Sequence, residues 1–151
     1  MADLTDRQAA AWTSYQRMRV RLSGVLGREL AHATGLSEAD FDVLVAVHER
    51  PDDTVRALSL RCGLEWEKSR LSHQLRRMEQ RGLITRETCE EDSRGSVVRL
   101  TERGRELACE AKRHYDDAVR RYVMDSLTPE QVAALAEIAD TLLDRIQVTH
   151  K

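Results

Sequence analysis

A change of periodicity at Gly82 constrains what this chain can fold into more than any other feature. Ahead of it, Leu71, Leu75 and Met78 recur at i, i+4 and i+7, which at 100° per residue defines one buried stripe on a helix over 67–81. Behind it, ITRETC and SVVRL flank the polar tip EEDSRG, a β-hairpin signature, and Thr101 then caps a further helix. A single hairpin set among helices predicts a mainly α chain with a small β element.

The remaining elements follow from start and stop signals. Thr5 with Gln8 fits a capping box for a long first helix over about 6–33, carrying Trp12, Tyr15, Met18, Leu22, Val25, Leu26 and Leu30 and stopped by Gly35. Ser37 with Asp40 opens a short second helix that ends before Pro51. Val55 to Gly63 reads as a third, with Leu58 and Cys62 facing inward and Gly63 as its stop. After the helix that Thr101 begins, Thr128, Pro129 and Gln131 announce a last one, whose Val132, Leu135, Ala139, Leu142 and Ile146 form a seam for helix packing. About six helices are expected. The expected organisation is an N-terminal helix over 1–35, a central lobe over 36–104 and C-terminal helices over 105–151.

Charge separates along the chain even though the net value is only -2. From Leu36 to Asp53 there are six acids against Arg50, a stretch that should avoid phosphate. From Val55 to Arg86 there are eight bases against Glu65, Glu67 and Glu79. The basic excess falls on the helix over 67–81, where Ser69, His73, Arg76 and Gln80 lie opposite the apolar stripe and Arg70 and Arg77 share a flank.

Two short helices, the second polar and basic outside, followed directly by a hairpin, form a winged helix-turn-helix pattern. A helix of this kind fits the major groove, where Arg, Ser, His and Gln can bond to base edges or phosphates. Arg94 at the hairpin tip could enter the minor groove, and Lys68, Arg86 and Arg99 could fix register on phosphates. An ordinary solvated helix is the plainer reading of the same charges, and the adjoining hairpin weighs against it.

On these motifs the chain resembles the MarR family of bacterial transcription regulators. LEWEKSRLSHQLRRMEQRGLI resembles that family's recognition helix, and EEDSRGSVVRLTERGREL its wing, with D-x-R at Asp92 and Arg94 and the following L-T-x-x-G-R. Motif-level likeness covers about 55–107, and the WEKSRLSHQ variant resembles an actinobacterial branch. Many relatives have small residues where Trp66 and Arg70 stand. The resemblance implies that Ser69, Arg70, Ser72, His73 and Arg77 approach bases and backbone, that Arg94 is the wing-tip arginine, and that Asp92 braces it. It also implies an intertwined homodimer on a palindromic operator and an effector pocket, for which Trp12, Tyr15, Arg19 and His48 are the candidates. Plain core and interface is the simpler reading of those four.

Other classes fit less well. The chain shows no nucleophile–base motif, no oriented pair of acids and no phosphate-cradling glycine loop, so an enzyme is not expected. His32, His48, His73, His114 and His150 lack ligand spacing, and no metal or other cofactor is expected. Cys62 and Cys109 read as packing residues, Cys89 near the wing is the only plausible redox sensor, and a redox switch is not expected. Without an apolar leader or an 18-residue apolar span, a cytoplasmic protein is expected. A helical interaction adaptor is the rival function, since it would need the apolar seams but not the basic face.

Overall fold

A computed structural model of the chain describes residues 2–88 and 95–149. Six α-helices and three short strands follow one another as α1 (Asp6–Thr34), α2 (Glu38–His48), β1 (Thr54–Arg56), α3 (Ala57–Leu64), α4 (Lys68–Gln80), β2 (Ile84–Thr88), β3 (Ser96–Leu100), α5 (Glu102–Tyr122) and α6 (Pro129–Thr149). The expected capping boxes form: Thr5 and Gln8 exchange bonds at the start of α1, and Ser37 and Asp40 do so at α2. Gly35 closes α1 at φ 72, the left-handed conformation that glycine adopts without steric cost.

The chain divides into two compact units, Met1–Tyr115 and Asp116–Lys151. The first holds the core: Leu30 of α1, Phe41, Val43, Leu44 and Val47 of α2, Leu60 of α3, and Leu71, Leu75 and Met78 of α4. They pack with Val55, Ile84, Val98 and Leu100 of the strands and with Leu107, Ala108 and Ala111 of α5. Leu30 of α1 thus belongs to the same core as the winged lobe, and the division between the two units falls within α5. In the second unit Thr128 and Gln131 exchange the capping bonds that open α6.

Strand order is β1-β3-β2, antiparallel throughout. The sequence reading placed Val55 in a helix. In the structure Thr54–Arg56 is instead a strand, pairing Val55 with Val98 and Thr54 with Arg99. Three residues carry too little pattern to separate the two periods, and β3 supplies the pairing partner. The same segment brings further corrections. Helix α3 continues past Gly63 to Leu64, and Glu65 takes the left-handed cap at φ 56. Leu58 is 55 % exposed and Cys62 is also exposed, so neither faces inward. The inner face of α3 is instead formed by Ala57, Leu60 and Leu64, at i, i+3 and i+7.

Candidate nucleic-acid interface

Helix α4 is fastened by its inner face. Leu71, Leu75 and Met78 are nearly fully buried, and at about 1.5–3 kcal/mol per buried side chain they contribute more than any exposed helix-surface pair, worth about 0.5 kcal/mol. Substitutions on the outer face therefore leave the helix in place. Lys68, Ser69, Arg70, Ser72, His73, Arg76 and Arg77 are all exposed there, as the periodicity predicts.

The arginines of this face are oriented by neighbours that periodicity does not reveal. The Arg70 guanidinium lies 4.0 Å from the centroid of the Trp66 ring, a cation–π contact that narrows its range of positions. Gln74, 2 % exposed, donates to Asp40 Oδ1 at 2.6 Å and accepts from Arg77 Nη2 at 2.6 Å. Arg81 reaches the other Asp40 oxygen at 2.8 Å, and Ser37 N–H bonds that same oxygen at 3.0 Å. Asp40 is thus a buried anchor on α2 for α4: one carboxylate fixes Gln74, which aims Arg77, and holds Arg81 at the helix end. In the sequence it reads only as a capping-box acid.

The other basic residues divide by location. Arg86 is paired with Glu79 at 3.0 Å, and this bond holds the Glu79 carboxyl below its ordinary value. Lys68, Ser72, Arg61 and Arg86 line a groove of about 260 Å³ between α3, α4 and the start of β3 at Gly95 and Ser96. Arg99 lies elsewhere, in a depression lined by Pro51, Asp52, Thr54 and Arg105. Asp92 and Arg94, like Cys89, lie outside the described residues.

Residues 34–95 match the model of the MarR family. AbsC, a MarR family transcriptional regulator from Streptomyces coelicolor, is 33 % identical over 97 % of this chain and 99 % of its own, with a TM-score of 0.89. The chain belongs to the MarR family. Sco3205, a MarR family regulator of the same organism solved in complex with DNA, is also 33 % identical at a TM-score of 0.89, covering 95 % of this chain and 91 % of its own. A mutant MarR from E. coli complexed with operator DNA shares the fold at 20 % identity and a TM-score of 0.79, over 94 % and 99 % of the two chains. No curated protein matches in sequence.

The effector-pocket candidates of this MarR-family chain are not all brought together. Tyr15 and Arg19 line a cavity of about 360 Å³ with Met18, Leu22, Glu38 and Phe41 among its walls. Trp12 stacks on Tyr15 with ring centroids 5.3 Å apart, but opens onto a different depression along α1. His48 lies outside both and bonds Asp53 at 2.8 Å. Asp42, on the cavity wall, has its carboxyl raised above the ordinary value, first by desolvation and then by the charge of Glu38, with Arg70 opposing. Among the described residues no group of three or more metal-ligating side chains occurs, and no helix is long and apolar enough to cross a membrane.

The Asp40 anchor makes a pH prediction. Burial disfavours its charge, but the bonds from Arg81 and Ser37 outweigh that and hold the carboxyl below 3.8. A depressed folded-state value stabilises the fold above the unfolded value and is lost as pH falls through the folded one. Asp40→Asn should cost about 1–2 kcal/mol at pH 7, since the Arg81 partner is partly solvated. Urea titrations should show that difference constant from pH 7 to 5 and shrinking below about pH 4; a constant difference down to pH 3 would contradict the assignment.

Proposed function

We propose that the protein is a homodimeric transcriptional regulator, a repressor, that binds a palindromic duplex operator in the cytoplasm. The observation that carries this is the outer face of α4, where Arg70, His73 and Arg77 are exposed while Leu71, Leu75 and Met78 lock the helix into the core. Arg70 and Arg77 read bases, Ser69, Ser72 and His73 contact base edges or backbone, and Lys68 and Arg99 contact phosphate. Arg94, with Asp92 bracing it, enters the minor groove. The 33 % identical Sco3205, solved with DNA, supports the reading. Helix α4 also opens without a side-chain cap, so its N-terminal N–H groups suit a backbone phosphate.

Dimerisation is supported by apolar side chains left uncovered in the single chain. Trp12, Met18 and Val20 of α1 are exposed, as are Leu135, Ile138, Leu142 and Ile146 of α6. Exposed stripes of this kind mark surfaces that another protein covers. In a two-fold dimer the copies of α4 meet successive major grooves, which is why the operator is a palindrome. A small molecule in the Tyr15–Arg19 cavity, flanked by α1 and α2, releases DNA if it prefers one arrangement of the helices over the other.

Selection of bound duplexes from a random pool tests the function: a recovered palindrome is the expected result, and failure to enrich any duplex would favour an interaction adaptor. On the selected site, the logarithm of affinity should fall with the logarithm of salt concentration at a slope of about -0.9 per phosphate contact, about -4 or steeper for several contacts. A slope near zero is incompatible with binding through this face.

A further inference from the structure

We propose that Cys109 is an electrophile-reactive thiol, activated by His48 and Asp53. Cys109 and Arg105 stand four residues apart on α5, so they share a face one turn from each other. Asp53, only 8 % exposed, pairs through one oxygen with Arg105 and through the other with His48 Nδ1 at 2.8 Å. The far nitrogen of the same ring, Nε2, lies 3.5 Å from Cys109 Sγ. The chain thus runs from carboxylate to imidazole to thiol, and both ends are tied to α5.

The order of these contacts sets the chemistry. With Nδ1–H donating to the carboxylate, Nε2 carries the lone pair that faces the thiol. This is the carboxylate–imidazole–nucleophile relation, defined by roles and geometry rather than by fold. The local backbone is committed to it as well: Asp52 and Asp53 hold positive φ of 56 and 49, a conformation that aspartate tolerates better than most residues. The turn after α2 thereby carries Asp53 back against the end of its own helix, where His48 stands.

Cys109, expected to be a packing residue, is instead exposed. A packed thiol would be shielded, whereas an exposed one beside an imidazole meets the requirements of a reactive cysteine. The substrate class is a soft carbon electrophile, an α,β-unsaturated carbonyl. Sulfur forms a bond to the β-carbon as the thiol proton passes to His48 Nε2. The enolate then takes a proton at the α-carbon from the imidazolium, so the net result is S–H added across the double bond, with nothing leaving and no oxidant required.

The experiment needs no DNA, so its outcome is independent of the operator reading. The full-length protein is treated with limiting N-ethylmaleimide at pH 7, and each cysteine is followed by peptide mass mapping. Cys62 on α3 is also exposed, and among the described residues no imidazole is hydrogen-bonded to it, so it serves as the internal reference. Cys109 should react about tenfold faster than Cys62 or more, and His48→Gln should bring the ratio to within about threefold while leaving the Cys62 rate unchanged. Equal rates at Cys109 and Cys62 in the unmodified sequence overturn the proposal, and so does a ratio that His48→Gln leaves intact. If His48→Gln does not fold, the ratio in the unaltered protein still decides.

Discussion

Gly104→Ala should lower stability by about 3 kcal/mol or more, about 10 °C in melting temperature for a chain of this size. A Cβ at Gly104 would overlap the carbonyl oxygen of Leu83. That oxygen belongs to the backbone and cannot swing aside: it accepts from Thr101 N at 3.1 Å, while Thr101 Oγ1 donates to Gly82 O at 2.6 Å and accepts from Gly104 N at 3.0 Å. The first turn of α5 is therefore stitched to the end of α4 at a distance only glycine permits. Thermal denaturation followed by circular dichroism checks it, and a melting temperature within about 2 °C of the unaltered protein would refute the close approach. Because the junction sits at the end of α4, any Gly104→Ala protein that still folds should also bind DNA more weakly.

Arg70→Ala combined with Arg77→Ala should weaken binding to the selected duplex at least about 100-fold at fixed salt, each arginine contributing about 1–3 kcal/mol. Melting temperature should fall by only about 5 °C or less, since α4 is held by its opposite face and the cost is limited to the Gln74 oxygen that Arg77 no longer bonds. Arg86→Ala is the informative contrast. Arg86 is already paired with Glu79, so its loss should weaken binding by less than about tenfold, less than either α4 arginine. Fluorescence anisotropy with a labelled duplex at constant ionic strength measures all three. Retained sub-micromolar affinity in the double variant would mean that α4 does not lie in the groove.

Much of the architecture was legible because strong local signals agree with the tertiary result. Capping boxes at Thr5 and Ser37, the stripe at Leu71, Leu75 and Met78 and the alternation after Gly82 each state a local preference that packing did not need to override. Reading failed where elements are short. β1 is three residues long and exists because β3 lies beside it, and α3 turns Ala57, Leu60 and Leu64 to the core, which leaves Leu58 and Cys62 outward. The candidate effector residues also came apart, because Tyr15 and Arg19 face a cavity while His48 is drawn to Asp53.

The exposed chemistry of α4 was determined by sequence alone: the 3.6-residue period decides which residues face outward, and their identities decide what they can bind. The tertiary structure decided which of those residues are held in place. That Asp40 reaches Gln74 across 34 positions and thereby aims Arg77, or that His48 touches Cys109 across 61, is a contact between distant segments. No local period encodes such contacts, because they depend on how the helices and the Pro51–Thr54 turn come together in one core.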